Sequence, residues 1–267
     1  METRATRIAL RVATAVVLAF LYVPLVVIAL FAFNKSRIQV WPITEWSTKW
    51  WSTAWHNEEV RTAFANSLRA GFGATLVALV LGSLAAVAVH RFRFFGRQAL
   101  SLGFVLPIAL PGIVTGVALQ RTILGLGWDL SLTTIIIGHA TFCVVVVYNN
   151  VIARLRRTSD SMVEAAHDLG ADGWQTFRLV VFPQLRSAML AGALLAFALS
   201  FDEIVVTNFT SGSQSTLPKW ILDNLNRAQA RPQVNVVAFC VMMLSIVPVY
   251  LAQRLTSDAG VAGATKG

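Results

Sequence analysis

Charge is what this sequence lacks most. Only 13% of its 267 residues are Asp, Glu, Lys or Arg, while 56% are hydrophobic. Soluble domains carry about 25% charged residues, so half of the usual charge is missing. Several runs of about 20 residues hold almost no charge, which is the length that an α-helix needs to cross a bilayer. The composition therefore excludes an ordinary soluble domain and indicates an integral membrane protein.

Acidic residues and cysteines are also scarce. The 13 Asp and Glu stand against 22 Lys and Arg, for a formal net charge of +9. Such a balance can indicate nucleic-acid binding, but here the basic residues cluster beside the apolar runs and not along one groove-binding face. No nucleic-acid partner is expected. Cys143 and Cys240 both lie inside apolar runs, which favours buried packing over a disulfide or a metal site.

Six apolar runs predict six membrane-spanning helices. Helices are expected because the backbone must satisfy its own hydrogen bonds in lipid, and the alternating segments of a membrane β-barrel are absent. The sequence thus predicts an all-α integral membrane protein with one transmembrane domain over residues 1–255 and a disordered cytoplasmic tail over residues 256–267. The spans are placed near residues 12–33, 70–89, 99–120, 132–152, 187–206 and 234–252.

The basic residues also predict the orientation. Thirteen of the 22 fall on one side of the predicted spans, in the two termini and in short loops. Arginine-rich short loops face the cytoplasm, so we expect a multi-pass membrane protein with cytoplasmic N- and C-termini. The longest loop on that side covers residues 153–186.

The third span and the segment before the second span carry unusual residues. Pro107 and Pro111 interrupt the third span, and Gly112 and Gly116 follow. They predict a kinked or locally opened helix, although close helix packing would also explain the glycines. Five tryptophans in residues 34–61 favour a segment at the membrane interface, with an aromatic substrate cage as the alternative: Trp41, Trp46, Trp50, Trp51 and Trp55.

The cytoplasmic loop contains two helix starts and one stop. Ser161 and Glu164 have the spacing of a capping box, and Gly170 is well placed to end that helix. Asp172 and Gln175 have the same spacing. The loop is therefore predicted to form two short helices joined by a glycine turn.

An apolar stripe lies on the second of these helices. It consists of Trp174, Phe177 and Val181, at near-helical spacing. Outside the membrane such a stripe needs a cover, which could be the ends of the chain's own spans or a separate cytoplasmic protein.

The same loop resembles the EAA loop of the permease subunits of ABC importers. The segment 164–166 reads Glu-Ala-Ala, Gly170 follows after three residues, and Val180-x-Phe182-Pro183 stands where the family pattern has Ile-x-Leu-Pro. In that family the loop is a coupling helix that docks in a cleft of a cytoplasmic ATPase. The resemblance implies that ATPase coupling rests on Glu164, Ala165, Ala166, Gly170 and Pro183.

The resemblance extends over nearly the whole chain. Asn66-Ser67-Leu68 and the run LPIALPGIVTGVAL are similar to type I importer permeases of the MetI-like kind. No nucleotide-binding pattern G-x-x-x-x-G-K-[ST] occurs, so the expected protein is a transport subunit without its own ATPase site or a cofactor. The resemblance implies a lipid-embedded heterodimer with a homologous permease subunit, two ATP-binding subunits and an extracytoplasmic substrate-binding protein.

The segment Phe201-Asp202-Glu203 lies near the outer end of the fifth predicted span. Ionisable residues within a membrane are functional candidates, although these carboxylates could instead be solvated or paired with Arg121. The surrounding SFDEIVVTNFTSG and the later TLPKWI resemble the second membrane subunit of spermidine/putrescine transporters. That resemblance implies polyamine as the solute and Phe201, Asp202 and Glu203 as residues of the substrate pathway.

Other functions stay open at this point. Related permeases with similar motifs carry opines, aminoethylphosphonate or ferric ion. A proton-driven secondary transporter could use His139 and Asp202, but the paired halves expected of such folds are not visible. An intramembrane enzyme finds no support, because the spans show no nucleophile–base pairing and no metal-ligand spacing.

Overall fold

The computed structural model describes residues 4–97, 99, 102–104 and 110–264. The regular structure of these residues is helical, apart from an isolated β-bridge between Asn34 and Trp46. The all-α prediction is confirmed. The helices are α1 Arg4–Ala32, α2 Lys49–His56, α3 Glu58–Arg91, α4 Gly112–Gly125, α5 Leu132–Leu155, α6 Asp160–Asp168, α7 Gly173–Thr176, α8 Phe182–Phe201, α9 Val205–Thr210, α10 Leu217–Asn224 and α11 Arg231–Ala264, with a π-helical turn Phe177–Val181 between α7 and α8.

Five helices in the described part of the chain are long and apolar enough to cross a membrane. They overlap five of the six predicted spans and lie in α1, α3, α5, the continuous helix Gly173–Phe201 and α11. Most of the first half of the third predicted span, including Pro107, lies outside the described residues. Its second half is α4, which starts directly after Pro111. The count of six spans stays a prediction.

The chain divides into two compact units. The first contains Met1–Thr62 and Trp220–Met243, and the second contains Ala63–Lys219 and Leu244–Gly267. The boundaries fall inside α3, α10 and α11 and not in flexible linkers. A single domain over residues 1–255 therefore stays a prediction.

Two of the five tryptophans help to organise the first unit. Trp51 packs against Phe33, with ring centroids 5.1 Å apart, and its indole N–H donates to the carbonyl of Ala32 at 3.0 Å. Trp50 is buried and donates to the carbonyl of Lys35. Indoles that are packed inside the unit and have a bonded N–H are packing elements, which removes Trp50 and the partly buried Trp51 from the substrate-cage alternative. The other three are exposed: Trp41, Trp46 and Trp55.

The core of the second unit surrounds α5. At Gly82 of α3, an added Cβ would lie 2.9 Å from the carbonyl oxygen of Val144. At Gly192 of α8, it would lie 3.2 Å from the Cα of Val147. Helices in lipid associate through close packing, which small residues permit. These glycines therefore let α3 and α8 approach α5 on two sides.

The two cysteines differ in their surroundings. Cys143 is buried in the second unit, and its thiol donates to the carbonyl of Ala196, as expected of a packing residue. Cys240 of the first unit is exposed, so the prediction of burial is wrong there. An apolar run in a membrane helix indicates an apolar surrounding, which lipid supplies as well as protein does.

The last helix is longer than the sequence predicts. α11 extends to Ala264, so residues 256–264 of the predicted disordered tail are helical. A helix that has already nucleated gains a hydrogen bond for each residue it adds. Alanines at 259, 262 and 264 favour that extension.

Candidate functional site

The loop predicted to face the cytoplasm forms an elbow, residues 159–183, within the second unit. Its first helix, α6, is capped by Ser159, whose hydroxyl oxygen accepts from the amide of Ser161 at 3.3 Å. The predicted capping box of Ser161 and Glu164 is therefore wrong. Ser159 starts the helix earlier, and its hydroxyl pairs with that of Ser161 at 2.6 Å. Glu164 is left with an exposed side chain.

The predicted helix stop at Gly170 is confirmed. Its φ is +82°, a conformation that glycine adopts at no steric cost. The Gly170 amide donates to the carbonyl of His167 at 2.9 Å, and the Ala171 amide donates to that of Ala166 at 3.0 Å. These two bonds form a Schellman motif, which sets the direction in which the chain leaves α6.

The second helix start is confirmed as well. Asp172 caps α7: its carboxylate accepts from the amide of Gln175 at 2.8 Å, and the Gln175 side chain accepts from the Asp172 amide at 3.0 Å. A reciprocal pair of this kind satisfies two amides that the helix itself leaves unbonded. The elbow is thus fixed by local hydrogen bonds on both sides of its turn.

The second helix is not a separate short helix, and on this point the prediction is wrong. It continues through the π-helical turn into α8, so that one helix runs from Gly173 to Phe201. Pro183 lacks an amide proton and cannot bond to the carbonyl four residues earlier. The π-turn absorbs this defect: the amide of Phe182 donates to the carbonyl of Phe177.

Apolar side chains of the elbow are exposed. Trp174 is 68% exposed and Leu169 is 89% exposed, whereas Phe177 and Val181 are partly buried. The predicted stripe is thus covered by the chain itself only on its inner part. Of the EAA segment, Glu164 and Ala165 are exposed and Ala166 is partly buried. Exposed apolar groups beside small residues are typical of a protein-binding surface.

The acidic segment lies at a break in the fifth predicted span. α8 ends at Phe201, and a separate helix, α9, begins at Val205. The prediction of one span over residues 187–206 is therefore wrong after residue 201. The carboxylate of Glu203 accepts from the amide of Val206 at 2.9 Å, and its carbonyl accepts from the hydroxyl of Thr207 at 2.8 Å. These bonds start a new helix after the break.

His139 of α5 holds both sides of this break. Its Nδ1 lies 2.7 Å from the hydroxyl of Ser200, and its Nε2 lies 2.8 Å from the hydroxyl of Thr207. Because Thr207 donates to the Glu203 carbonyl, it accepts from the imidazole N–H. His139 is thus a buried, satisfied hydrogen-bonding group between helices. Both ring nitrogens are used, which disfavours a proton relay.

The three residues of the acidic segment have different surroundings. Phe201 is buried, with its ring centroid 5.8 Å from that of Phe197. Glu203 is partly buried and serves as a helix cap, whereas Asp202 is exposed. Neither carboxylate forms an ion pair with any residue that the structure describes, so the pairing with Arg121 is not observed. Asp202 is the carboxylate that is left available.

The elbow and the acidic break lie at opposite ends of one helix. The helix Gly173–Phe201 has 29 residues, which correspond to about 44 Å at 1.5 Å per residue. It starts at the cap of Asp172 and ends directly before Asp202. One continuous helix therefore joins the elbow to the break.

Sequence reasoning missed the polar contacts that hold the segment after α9. The side-chain Nδ2 of Asn66 donates to the side-chain oxygen of Gln214 and to the backbone carbonyl of Ser215, both at 3.1 Å. The hydroxyl of Ser67 accepts from the amide of Leu217 at 2.8 Å. Two adjacent polar residues at the start of an apolar run were the available signal, because buried polar groups need partners.

The comparison with known proteins decides the family. The profile of the family described as "Binding-protein-dependent transport system inner membrane component" matches residues 78–258, which include the elbow and the acidic break. The chain belongs to this family. It is therefore a multi-pass permease component of a bacterial inner membrane.

Two curated relatives cover most of this permease. The spermidine/putrescine transport system permease protein PotC of Haemophilus influenzae is 33% identical over 243 residues, 90% of this chain and 93% of the relative. The putrescine transport system permease protein PotI of Escherichia coli K12 is 33% identical over 232 residues, 84% and 82% of the two chains.

Solved structures show the same fold. A bacterial ABC transporter that imports the acidic polysaccharide alginate matches with a TM-score of 0.68 at 17% identity, covering 95% of this permease and 98% of that chain. The MetNI methionine ABC transporter matches with a TM-score of 0.58 at 16% identity, covering 74% and 93%. The predicted fold of a type I ABC importer permease is confirmed.

Proposed function

We propose that this permease forms half of the translocation pathway of an ATP-driven importer for polyamines, and that an ATPase drives it through the elbow. The observation that carries the proposal is the continuous helix Gly173–Phe201, which joins the elbow to Asp202. The names of PotC and PotI support spermidine and putrescine as solutes. Opines, aminoethylphosphonate and ferric ion stay as alternatives within the same family.

The assembly we propose contains a homologous permease subunit, two ATP-binding subunits and an extracytoplasmic substrate-binding protein. The sequence lacks a nucleotide-binding P-loop, so the chain has no ATPase site of its own. The alginate transporter has been solved in complex with a periplasmic protein that carries its substrate, and this supports an external receptor. The arginine-rich side, with the elbow, faces the cytoplasm in this assembly.

In the mechanism we propose, α6 is held between the ATPase subunits and the membrane-spanning helices of this permease. Glu164 faces a polar or basic group of the ATPase, while Ala165 and Ala166 permit a close approach and Trp174 is covered. The capped turn at Gly170 moves as a rigid piece, because hydrogen bonds hold both of its sides. Closure of the ATPases then displaces the helix that starts at Asp172, and Pro183 with its π-turn is the point where that helix can bend.

At the other end of the helix, Asp202 attracts the ammonium groups of the solute. Glu203 is engaged as a helix cap, and Phe201 packs beneath the break, so both support the position of Asp202 in the pathway. A carboxylate suits a polyamine because charge-assisted hydrogen bonds to ammonium groups are short and strong.

The coupling role is tested in proteoliposomes that contain the complete importer. Glu164→Lys or Gly170→Pro is expected to uncouple ATP hydrolysis from uptake while membrane insertion stays normal. Gly173→Pro is the matched control for the second variant, because Gly173 is the first residue of α7, where proline is tolerated. Asp168→Lys is the control for the first, as an exposed acid on the same helix. Uptake per ATP equal to the parent's in Glu164→Lys and Gly170→Pro would refute the coupling role.

The substrate role is tested separately by uptake of radiolabelled spermidine. Asp202→Asn is expected to lower uptake on the order of ten- to a hundredfold, since a hydrogen bond to a charged group contributes about 1.5–3 kcal/mol. Asp129→Asn is the control, an exposed carboxylate in a loop predicted on the outer side. Normal uptake by Asp202→Asn contradicts the role of that residue. Absence of polyamine uptake in the parent contradicts the polyamine assignment, and the alternative solutes are then assayed.

A further inference from the structure

A basic cavity of about 540 Å³ lies beside the elbow in the second unit. Four arginines and a histidine line it, and all five stand at or just beyond the ends of two membrane-spanning helices. His90 and Arg91 close α3, Arg93 and Arg97 follow it in the chain, and Arg156 is the C-cap of α5. The cavity therefore lies at the depth where a span ends and headgroups begin.

The positive charge of this cavity is not balanced by the described part of the chain. Among the residues that the structure describes, no Asp or Glu lines the cavity and none pairs with its four arginines. Neighbouring Arg154 is different, because its guanidinium donates to the carbonyl of Gln184 and so has a structural role. Like charges around one space repel each other unless an anion lies between them. The cavity is thus suited to an anionic group with several acceptor oxygens, such as a phosphate.

The remaining lining of the cavity is largely apolar. Val87 and Leu155 come from the span ends, Val163 comes from α6, and Phe177 and Val181 come from the π-helical turn. A free inorganic anion gains nothing from such a surface. An amphipathic molecule with an anionic head does, because its apolar part removes this surface from water.

An exposed apolar track along α3 leads to the basic end of the cavity. Val80, Leu84, Val87 and Arg91 follow at spacings of four, three and four residues, which place them on one face of the helix. Val80 is 51% exposed and Leu84 is 64% exposed. A membrane-spanning helix with such a track offers an acyl chain a path that ends at a guanidinium.

We propose that this cavity binds the phosphate headgroup of an anionic membrane phospholipid. The arginines bind the phosphate oxygens, and the acyl chains lie along the exposed face of α3. Because Val163, Phe177 and Val181 belong to the elbow, the bound lipid contacts the elbow as well as the ends of α3 and α5. Anionic lipid thereby stabilises the position of the elbow against the helices of the second unit.

The test uses photoactivatable phosphatidylglycerol in phosphatidylcholine nanodiscs that hold the full chain with the subunits that co-purify with it. Irradiation is expected to label peptides that contain residues 87–97 and 155–163. The triple variant R91Q/R93Q/R97Q is expected to lower labelling on the order of a hundredfold, since each basic side chain near an anionic surface contributes about fivefold. The matched control, R157Q/R178Q/R186Q, removes the same charge from exposed arginines that do not line the cavity and is expected to retain the label.

Competition distinguishes the source of the anion. Unlabelled phosphatidylglycerol is expected to displace the probe, whereas inorganic phosphate at the same concentration is not. Displacement by inorganic phosphate overturns the lipid assignment in favour of a free anion. An equal loss of labelling in both triple variants also overturns the lipid assignment. Labelling that occurs only after the co-purifying subunits are removed overturns it as well, because a protein then covers the cavity in the complex. If the triple variant fails to assemble, Arg93→Gln and Arg156→Gln alone are each expected to lower labelling about fivefold, and unchanged labelling contradicts the site.

Discussion

The turn at Gly170 permits a quantitative test of how the elbow is held. Alanine at this position must adopt the left-handed conformation that Gly170 has at φ +82°, which costs an L-residue about 1–2 kcal/mol. No heavy atom lies within 4 Å of the Cβ that alanine would add, so the cost is in the backbone and not in a clash. Alanine also has less conformational freedom than glycine in the unfolded chain, which offsets part of this cost. The net destabilisation of the turn is then about 1 kcal/mol.

A loss of this size raises the open population of the turn about fivefold. The amides of Gly170 and Ala171 donate the two bonds of the Schellman motif, so their hydrogen exchange reports the opening directly. Exchange measured by mass spectrometry on the intact protein in nanodiscs is expected to be about fivefold faster in Gly170→Ala.

Gly173→Ala is the matched control for this experiment. An alanine there also has no heavy atom within 4 Å of its Cβ, but φ at Gly173 is not positive. Alanine is a better helix former than glycine, so exchange in the elbow should be unchanged or slower. Equal exchange in the parent and Gly170→Ala, or equal acceleration in both variants, would show that the turn is not held by the conformation of Gly170.

Three further predictions concern the two units. Gly82→Ala places a Cβ against a carbonyl oxygen of α5 and should destabilise the protein by about 1–3 kcal/mol in thermal unfolding, whereas Gly125→Ala, in open space, should have no effect; equal melting temperatures contradict the close approach. His139→Leu leaves the buried hydroxyls of Ser200 and Thr207 without their partner, which should lower the free energy of unfolding by about 1–3 kcal/mol. The folded fraction of this variant should keep the parent's pH profile of uptake, and an altered profile would support a proton relay through His139. Trp51→Phe keeps an aromatic ring beside Phe33 but removes the donor to α1 and part of the packed ring. A loss of at least about 1 kcal/mol is expected in thermal unfolding; unchanged stability would contradict a structural role of Trp51.

Local signals in the sequence were sufficient for much of the elbow. The turn at Gly170 and the helix start at Asp172 and Gln175 depend on hydrogen bonds between residues that are close in the sequence. Their spacing alone therefore predicts both features. The cap of α6 shows the limit of such signals. Ser159 and Ser161 both offer a hydroxyl, and only the structure shows that Ser159 is the residue that caps the helix.

Composition and the spacing of residues along the chain were sufficient to predict the membrane location, the helical fold class and the family resemblance. Long uncharged runs and a backbone that must bond to itself in lipid leave few alternatives. Contacts between distant segments were decided only by the tertiary structure. His139 meets Ser200 and Thr207 across 61 and 68 residues, and the cavity brings Arg156 to the arginines that follow α3. Such contacts depend on how the helices pack and rotate against each other, and apolar runs of similar composition permit many arrangements that spacing along the chain cannot distinguish.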